Sequence, residues 1–235
     1  MKTYNLLKPW YKKWWGILLI ALSLLLIAFI ISFSVAVYQK VQVLKNGPAL
    51  DKYQEATISI PEYSPILGDP NSLISIMAFS DFQCPFCKEG MPIIEKVIQD
   101  YGGVVSLIYR HFPIAELHPQ AYAAAVASTC ANEQDKFWQY HDLLFKNQDD
   151  LSEDNLFSLA RQMNIDMTQF NQCYSSEKYA YQIRKDLADG ADSGLQGTPT
   201  FFINGQMVSG VLTVDQWHTL LDAFILGIQQ AAQQN

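Results

Sequence analysis

Residues 84–87 read Cys-Pro-Phe-Cys, and they stand where the apolar segment Leu73 to Phe82 gives way to a helical pattern that opens with proline. The chain must therefore fold so that a dithiol sits at a helix N-terminus. The first turn of a helix has unpaired N–H groups and the positive end of the macrodipole. A thiolate on Cys84 is stabilised there, and its pKa is expected below the roughly 8.5 of a free thiol. Pro85 suits that turn, because the N–H it lacks would be unpaired anyway. Two intervening residues put Cys87 one turn on, on the same face, within reach of a bridge that opens and closes.

The pattern around this motif alternates short apolar segments with helical ones. Leu73 to Phe82 is short and apolar enough for a buried strand. A helix is expected from Cys84 to about Tyr101, with Met91, Ile94, Val97 and Ile98 at helical spacing and Gly102-Gly103 ending it. Val104 to Phe112 completes a strand, helix, strand unit whose strands should be parallel. After Pro113 the next eighty or so residues hold no convincing strand. Helices fit His118 to about Ala131, Lys136 to Phe145, Ser152 to Met163, Met167 to Tyr174 and Ser176 to Ser193. Ser152 followed by two acids marks a helix start, and Phe137, Trp138 and Phe145 read as a core stripe. Strands resume late. Thr200 to Ile203 and Gln206 to Ser209 flank Asn204-Gly205, whose two residues tolerate the positive φ of a tight hairpin. A final amphipathic helix is expected from about Thr213 to Gln230. Pro199, at the start of a strand, requires special geometry, and a cis bond there would be a deliberate feature.

The N-terminal part obeys a different rule. Ile17 to Val37 is a run of 21 residues without a charge, and about 20 suffice to cross a bilayer as a helix. Trp10, Tyr11, Trp14 and Trp15 crowd its upstream edge, where aromatic rings favour the membrane interface. Lys2, Lys8, Lys12 and Lys13 precede it against Lys40 and Lys45 after it, which leaves the N-terminus inside and the rest exported. The other reading, a cleaved secretory signal with Ser32 to Ala36 as small residues near the cut, also exports the domain, but such signals have shorter apolar regions. The organisation expected is a cytoplasmic N-terminus (1–16), a transmembrane anchor (17–37), a linker (38–63) with an edge strand over Ala56 to Ile60, and a folded domain (64–235). Residues 1–45 hold six lysines and no acid, so ten basic residues face 23 acidic ones beyond. Such an acidic surface argues against nucleic acid as a partner and for solubility. An even count of four cysteines suits an oxidising compartment.

Taken in order, Ser80-Asp81-Phe82-Gln83-Cys84-Pro85-Phe86-Cys87, Arg110-His111-Phe112-Pro113, Lys136-Phe137-Trp138 and Gly197-Thr198-Pro199-Thr200-Phe201-Phe202-Ile203-Asn204-Gly205 make the chain resemble the DsbA-like thiol:disulfide oxidoreductases of the thioredoxin superfamily, in the branch with one N-terminal membrane anchor. The resemblance covers about residues 64–230. It implies an α/β thioredoxin fold with a large all-helical insertion at about 113–193, preceded by one transmembrane helix. It further implies that Thr198-Pro199 is cis and lies beside the cysteines, with Thr198, Pro199, Pro85 and Phe86 binding substrate.

The activity implied is the introduction of disulfides into exported cysteine-containing proteins, with a quinone-linked membrane partner reoxidising the pair and no organic cofactor. Similar domains also close a structural bridge across insertion helices, here Cys130 to Cys173. Such a loop would stabilise by roughly 3 to 4 kcal/mol in the chain-entropy model; unpaired buried thiols and a second redox relay are the other readings. Many relatives carry a buried acid six residues before the first cysteine, where this chain has Ala78. That puts the deprotonation of Cys87 in question, with Asp81 or water as the substitute. His111, His118, His141 and His218 match no zinc-ligand spacing, so no metal is expected. An isomerase or reductase, and a tethered chaperone using the Pro199 groove, remain as rival functions.

Overall fold

The computed structural model describes residues 14–45 and 60–233. The chain divides into two compact units, residues 1–53 and 54–235. In the first, a single helix α1 runs Trp14–Lys45, 32 residues long, and contains the apolar stretch Leu18–Val35, long enough to cross a membrane. The helix outruns the apolar span expected to end at Val37. From Tyr38 to Lys45 the residues are polar or apolar but contain no Gly or Pro, so nothing stops the backbone pattern when apolarity ends. The boundary drawn at 37/38 therefore marks where the apolar run ends, not the end of a helix. The edge strand expected over Ala56 to Ile60 lies outside the described residues apart from Ile60, which is in no strand.

The second unit is built on a five-stranded mixed sheet. Its strands are β1 (Ile66–Leu67), β2 (Ile74–Ser80), β3 (Val105–His111), β4 (Thr200–Ile203) and β5 (Gln206–Ser209), in the order β1-β3-β2-β4-β5. β2 and β3 are parallel, as a strand, helix, strand unit requires, and the other pairings are antiparallel. The β4–β5 hairpin turns on Asn204 and Gly205, both at positive φ.

Period-two alternation sorts the central strands onto two faces. Ile74, Ile76 and Ala78 of β2 and Val105, Leu107 and Tyr109 of β3 join one buried cluster, with Met91 and Ile94 of α2 (Pro85–Asp100) and Trp217 and Leu221 of α8 (Val214–Gln233). Met77, Phe79 and Ile108 form a second cluster on the opposite face with Phe202 and Leu195.

The segment between β3 and β4 is all helical among the described residues: α3 (Ala121–Asn132), α4 (Phe137–Lys146), α5 (Glu153–Gln162), α6 (Met167–Ser175) and α7 (Ala180–Asp192). Its expected core stripe is formed, with Phe137 and Phe145 buried and the Trp138 indole donating to the Ile66 carbonyl at 3.1 Å. Two of its helices start later than expected. α3 begins at Ala121 rather than His118, because residues 114–121 close successive turns through the Ile114 and His118 carbonyls. α7 begins at Ala180 rather than Ser176, because Glu177 adopts φ +46° and breaks the chain from α6. Ser152 stands at the start of α5, yet its hydroxyl makes no cap; Asp150 instead accepts from the Ser152 N–H.

On the second face α7 lies against β3. Arg110, fully buried, donates to Asp186 at 2.5 Å and to Asp189 at 2.6 Å and lies over the Phe79 ring. Asp186 also accepts from the His111 N–H and the Tyr63 hydroxyl, so this buried cation has paired, hydrogen-bonded partners. Gly190 permits the close approach: a Cβ there would sit 2.7 Å from a Phe112 ring carbon.

Candidate active site

The site is assembled where β2 ends. Cys84 is the residue preceding α2, in extended conformation, and Pro85 holds the first helical position. The α2 backbone closes at once, with the Cys87 and Lys88 N–H groups donating to the Cys84 carbonyl. Both cysteines are unbonded thiols, Cys84 at 4% exposure and Cys87 at 0%, while Pro85 and Phe86 are exposed.

The two sulfurs have opposite electrostatics. The Cys84 pKa is lowered to about 5, mainly by the hydrogen bond from Cys87, with the Cys87 and Phe86 N–H groups of the first helical turn adding to it against the opposing effect of burial. Burial, and next the neighbouring Cys84, push Cys87 well above the usual thiol range. A low-pKa sulfur beside a high-pKa one makes Cys84 the nucleophile and leaving group, and Cys87 the thiol that must be persuaded to ionise.

The Thr198-Pro199 bond is cis, and the Thr198 carbonyl lies 3.3 Å from the Cys84 sulfur. Thr198 and Pro199 share one open groove with Phe86, Gln196, Gly210 and Val211. Cys84, Phe86, Thr198 and Pro199 are thus gathered from segments more than a hundred residues apart.

Asp81 is buried, and its carboxylate bonds the turn before α2 and the start of the insertion. One oxygen accepts from the Gln83 N–H at 2.7 Å; the other meets the Ile114 N–H at 2.8 Å and His118 Nδ1 at 2.7 Å. The side chain ties the turn before α2 to the start of the insertion.

Several residues unremarked in the sequence complete the site. Gln148, after α4, reaches back to donate to the carbonyls of Phe82 at 2.7 Å and Cys84 at 2.9 Å. Gln83 and Gln120 bond each other, and the Gln120 side chain also accepts from the Leu151 N–H. A lone glutamine in a helical insertion carries no local signal of such contacts.

Cys130 of α3 and Cys173 of α6 form a disulfide, buried and remote in sequence from the reactive pair. Of the histidines, His118 pairs with Asp81 and His218 approaches Asp100 at 3.4 Å. His111 and His141 are buried, and burial is the main cause of the lowered pKa of each, to about 3 for His111. Glu95, His141 and Asp142 place three potential ligand atoms within 4.8 Å of one another. Spacing along the chain had given no sign of this group, which draws on α2 and α4.

Comparison with known proteins gives a consistent answer. A family model described as thioredoxin matches residues 61–223. A thioredoxin-like oxidoreductase from Silicibacter pomeroyi DSS-3 is 26% identical with a TM-score of 0.64, covering 72% of this chain and 94% of that one. The thiol-disulfide exchange protein alpha-DsbA2 from Wolbachia pipientis, at 23% identity, shares the fold with a TM-score of 0.63, over 68% of this chain and 87% of that one. Among curated relatives, the Na(+)/H(+) antiporter NhaA 3 of Salinispora tropica is 33% identical over 156 residues, 66% of this chain. The chain spans about a quarter of the length of the curated relatives it matches, and the ion exchange in that name is said of those proteins. With the family matched over most of its length and the dithiol helix facing a cis proline, this chain belongs to the thioredoxin family.

Proposed function

We propose that this protein is a membrane-tethered thiol oxidase that introduces disulfides into exported, cysteine-containing proteins by exchange at Cys84 and Cys87. The observation that carries the reading is the Cys84 sulfur, whose pKa is lowered to about 5 at the edge of an open groove. The more firmly that thiolate is stabilised, the more the reduced pair is favoured and the stronger an oxidant its disulfide becomes.

In the oxidised enzyme a substrate thiolate attacks the Cys84 sulfur. The Cys84–Cys87 bond breaks, and its electron pair leaves on Cys87, which then takes up a proton. A second substrate thiolate attacks the substrate sulfur of the mixed disulfide and expels Cys84 as its stabilised thiolate. Two substrate thiols have become a disulfide, and two electrons rest on the enzyme. Their removal falls to a quinone-linked membrane partner, and the exchange itself needs no organic cofactor. Main-chain groups of Thr198 pair with an extended substrate segment while Pro199, Pro85 and Phe86 flank it, a mode that tolerates many sequences.

The apolar helix α1 supports retention in the cytoplasmic membrane, with residues 1–16 inside, 17–37 as the anchor, 38–63 as the linker and 64–235 facing the periplasm or cell exterior. Trapping the redox state of Cys84 and Cys87 in growing cells tests the reading. A pair found mostly as disulfide is the outcome expected of an oxidase. A pair found mostly as dithiol overturns it in favour of an isomerase or reductase, and client holding that survives Cys84→Ala points to a chaperone.

A further inference from the structure

Cys87 is fully buried, and the face of the sheet beneath α2 shows what stands around it. Ala78 and Ser80 point to the same side of β2, two residues apart, and Tyr109 lies directly across from Ala78 in the parallel register. Ala78, Tyr109 and Cys87 belong to one buried cluster, and Ser80 is 1% exposed. Neither Ser80 Oγ nor Tyr109 Oη has a hydrogen-bond partner at normal distance among the described residues. Two buried hydroxyls in a native fold call for an explanation. Ser80 thus lies on the sheet face that carries Ala78 and Tyr109, and Cys87 is buried in the cluster those two join.

We propose that these hydroxyls do the work of the missing carboxylate: Ser80 donates a hydrogen bond to the Cys87 sulfur when it is anionic, and Tyr109 is a positioning residue that donates to Ser80. The inference rests on the exchange function proposed above. When the Cys84–Cys87 bond breaks, the electron pair arrives on a fully buried sulfur, where an unsolvated anion is costly. Ser80 supplies a donor at that moment, and the proton Cys87 finally takes comes from solution, matching one released by a substrate thiol. In the reverse direction the same donor lets Cys87 ionise and attack the mixed disulfide on Cys84. A hydroxyl does this without adding a second buried charge.

The other titratable groups on the surrounding elements are Asp81 and Cys84 before α2, Glu95 on α2, His111 on β3 and His141 on α4. The Tyr109 ring lies 5.1 Å from that of His111 and 5.4 Å from that of His141, centre to centre. Burial lowers the pKa of both imidazoles, and the Asp81 carboxylate is bonded elsewhere.

The test uses the full chain loaded with a mixed disulfide between Cys84 and glutathione, and follows glutathione release by Cys87 across pH. Ser80→Ala should slow release at neutral pH by roughly tenfold or more and move the profile to higher pH, the loss of one hydrogen bond to a charged sulfur. Tyr109→Phe should do the same to a smaller degree, and Ser80→Thr should restore the parent profile. Ultraviolet titration of the Cys84 thiolate should stay within a few tenths of a unit of the parent in all three. A purely structural role would lower the unfolding temperature and leave the pH profile in place. Profiles for Ser80→Ala and Tyr109→Phe that superimpose on the parent overturn the proposal alone; Tyr109→Phe removes one hydroxyl only, so it decides the matter if Ser80→Ala fails to fold. If the parent itself never releases glutathione at any pH, the exchange reading fails with it.

Discussion

The two cysteine pairs of this protein carry the same element in opposite roles, and the difference lies in what surrounds the sulfur. Cys84 borders an open groove, with helix N–H groups and a neighbouring thiol lowering its pKa to about 5. Cys130 and Cys173 join two insertion helices and are closed as a buried disulfide. One pair is placed to exchange and the other to hold α3 against α6. The lesson is that reactivity follows thiolate stabilisation, while a bridge closed between helices acts on the unfolded chain.

The contrast is broken most directly by removing one sulfur from each pair. Cys84→Ala should reduce insulin-disulfide exchange to the level of free thiol chemistry, whereas Cys130→Ala with Cys173→Ala should keep at least half the parent rate. Equal loss in both variants would abolish the distinction. The double variant should instead lose roughly 3 to 4 kcal/mol, seen in thermal unfolding as a midpoint lower by about 10 °C. Mass mapping after mild reduction sharpens the point: Cys84–Cys87 should open under conditions that leave Cys130–Cys173 closed.

A second contrast lies between the exchanging end of the sheet and the packed face beneath α7. Gly190→Ala brings a Cβ into the Phe112 ring and should cost about 1 to 3 kcal/mol by denaturant titration, without changing the exchange rate of the folded protein. A neutral result would mean that Phe112 moves aside freely.

The electrostatics of the reactive pair predict a pH dependence. Because the Cys84 pKa is lowered from 9.0 to about 5, its contribution to the stability of the reduced form is complete above pH 9 and is lost as pH falls through 5. The stability of reduced over oxidised protein should fall between those limits and level off below pH 5, while reducing Cys130–Cys173 adds no such slope. A flat difference from pH 9 to 5 would remove the basis for an oxidising pair.

The smallest effect is expected at Glu95, whose pKa burial raises to about 7, with Asp142 adding to it. A raised carboxyl pKa stabilises the fold below pH 4.5 and loses that contribution as pH rises through 7. Glu95→Gln should therefore gain about 1 kcal/mol at pH 8 and little at pH 4.5, read from paired unfolding curves.

Much of this was legible in the chain alone, for a definite reason. The dithiol at a helix start, the parallel unit around it, the Asn204-Gly205 hairpin and the apolar N-terminal helix are all set by neighbours within a few residues, where backbone preference and periodicity act. Tertiary structure alone decided what joins distant segments: the Asp81 carboxylate bound to Ile114 and His118, Gln148 reaching the Cys84 carbonyl, Arg110 buried against Asp186, and the Ser80 and Tyr109 hydroxyls buried on neighbouring strands. Those contacts depend on strand register and on which helix face meets the sheet. A single side chain, read in order along the chain, holds no record of either.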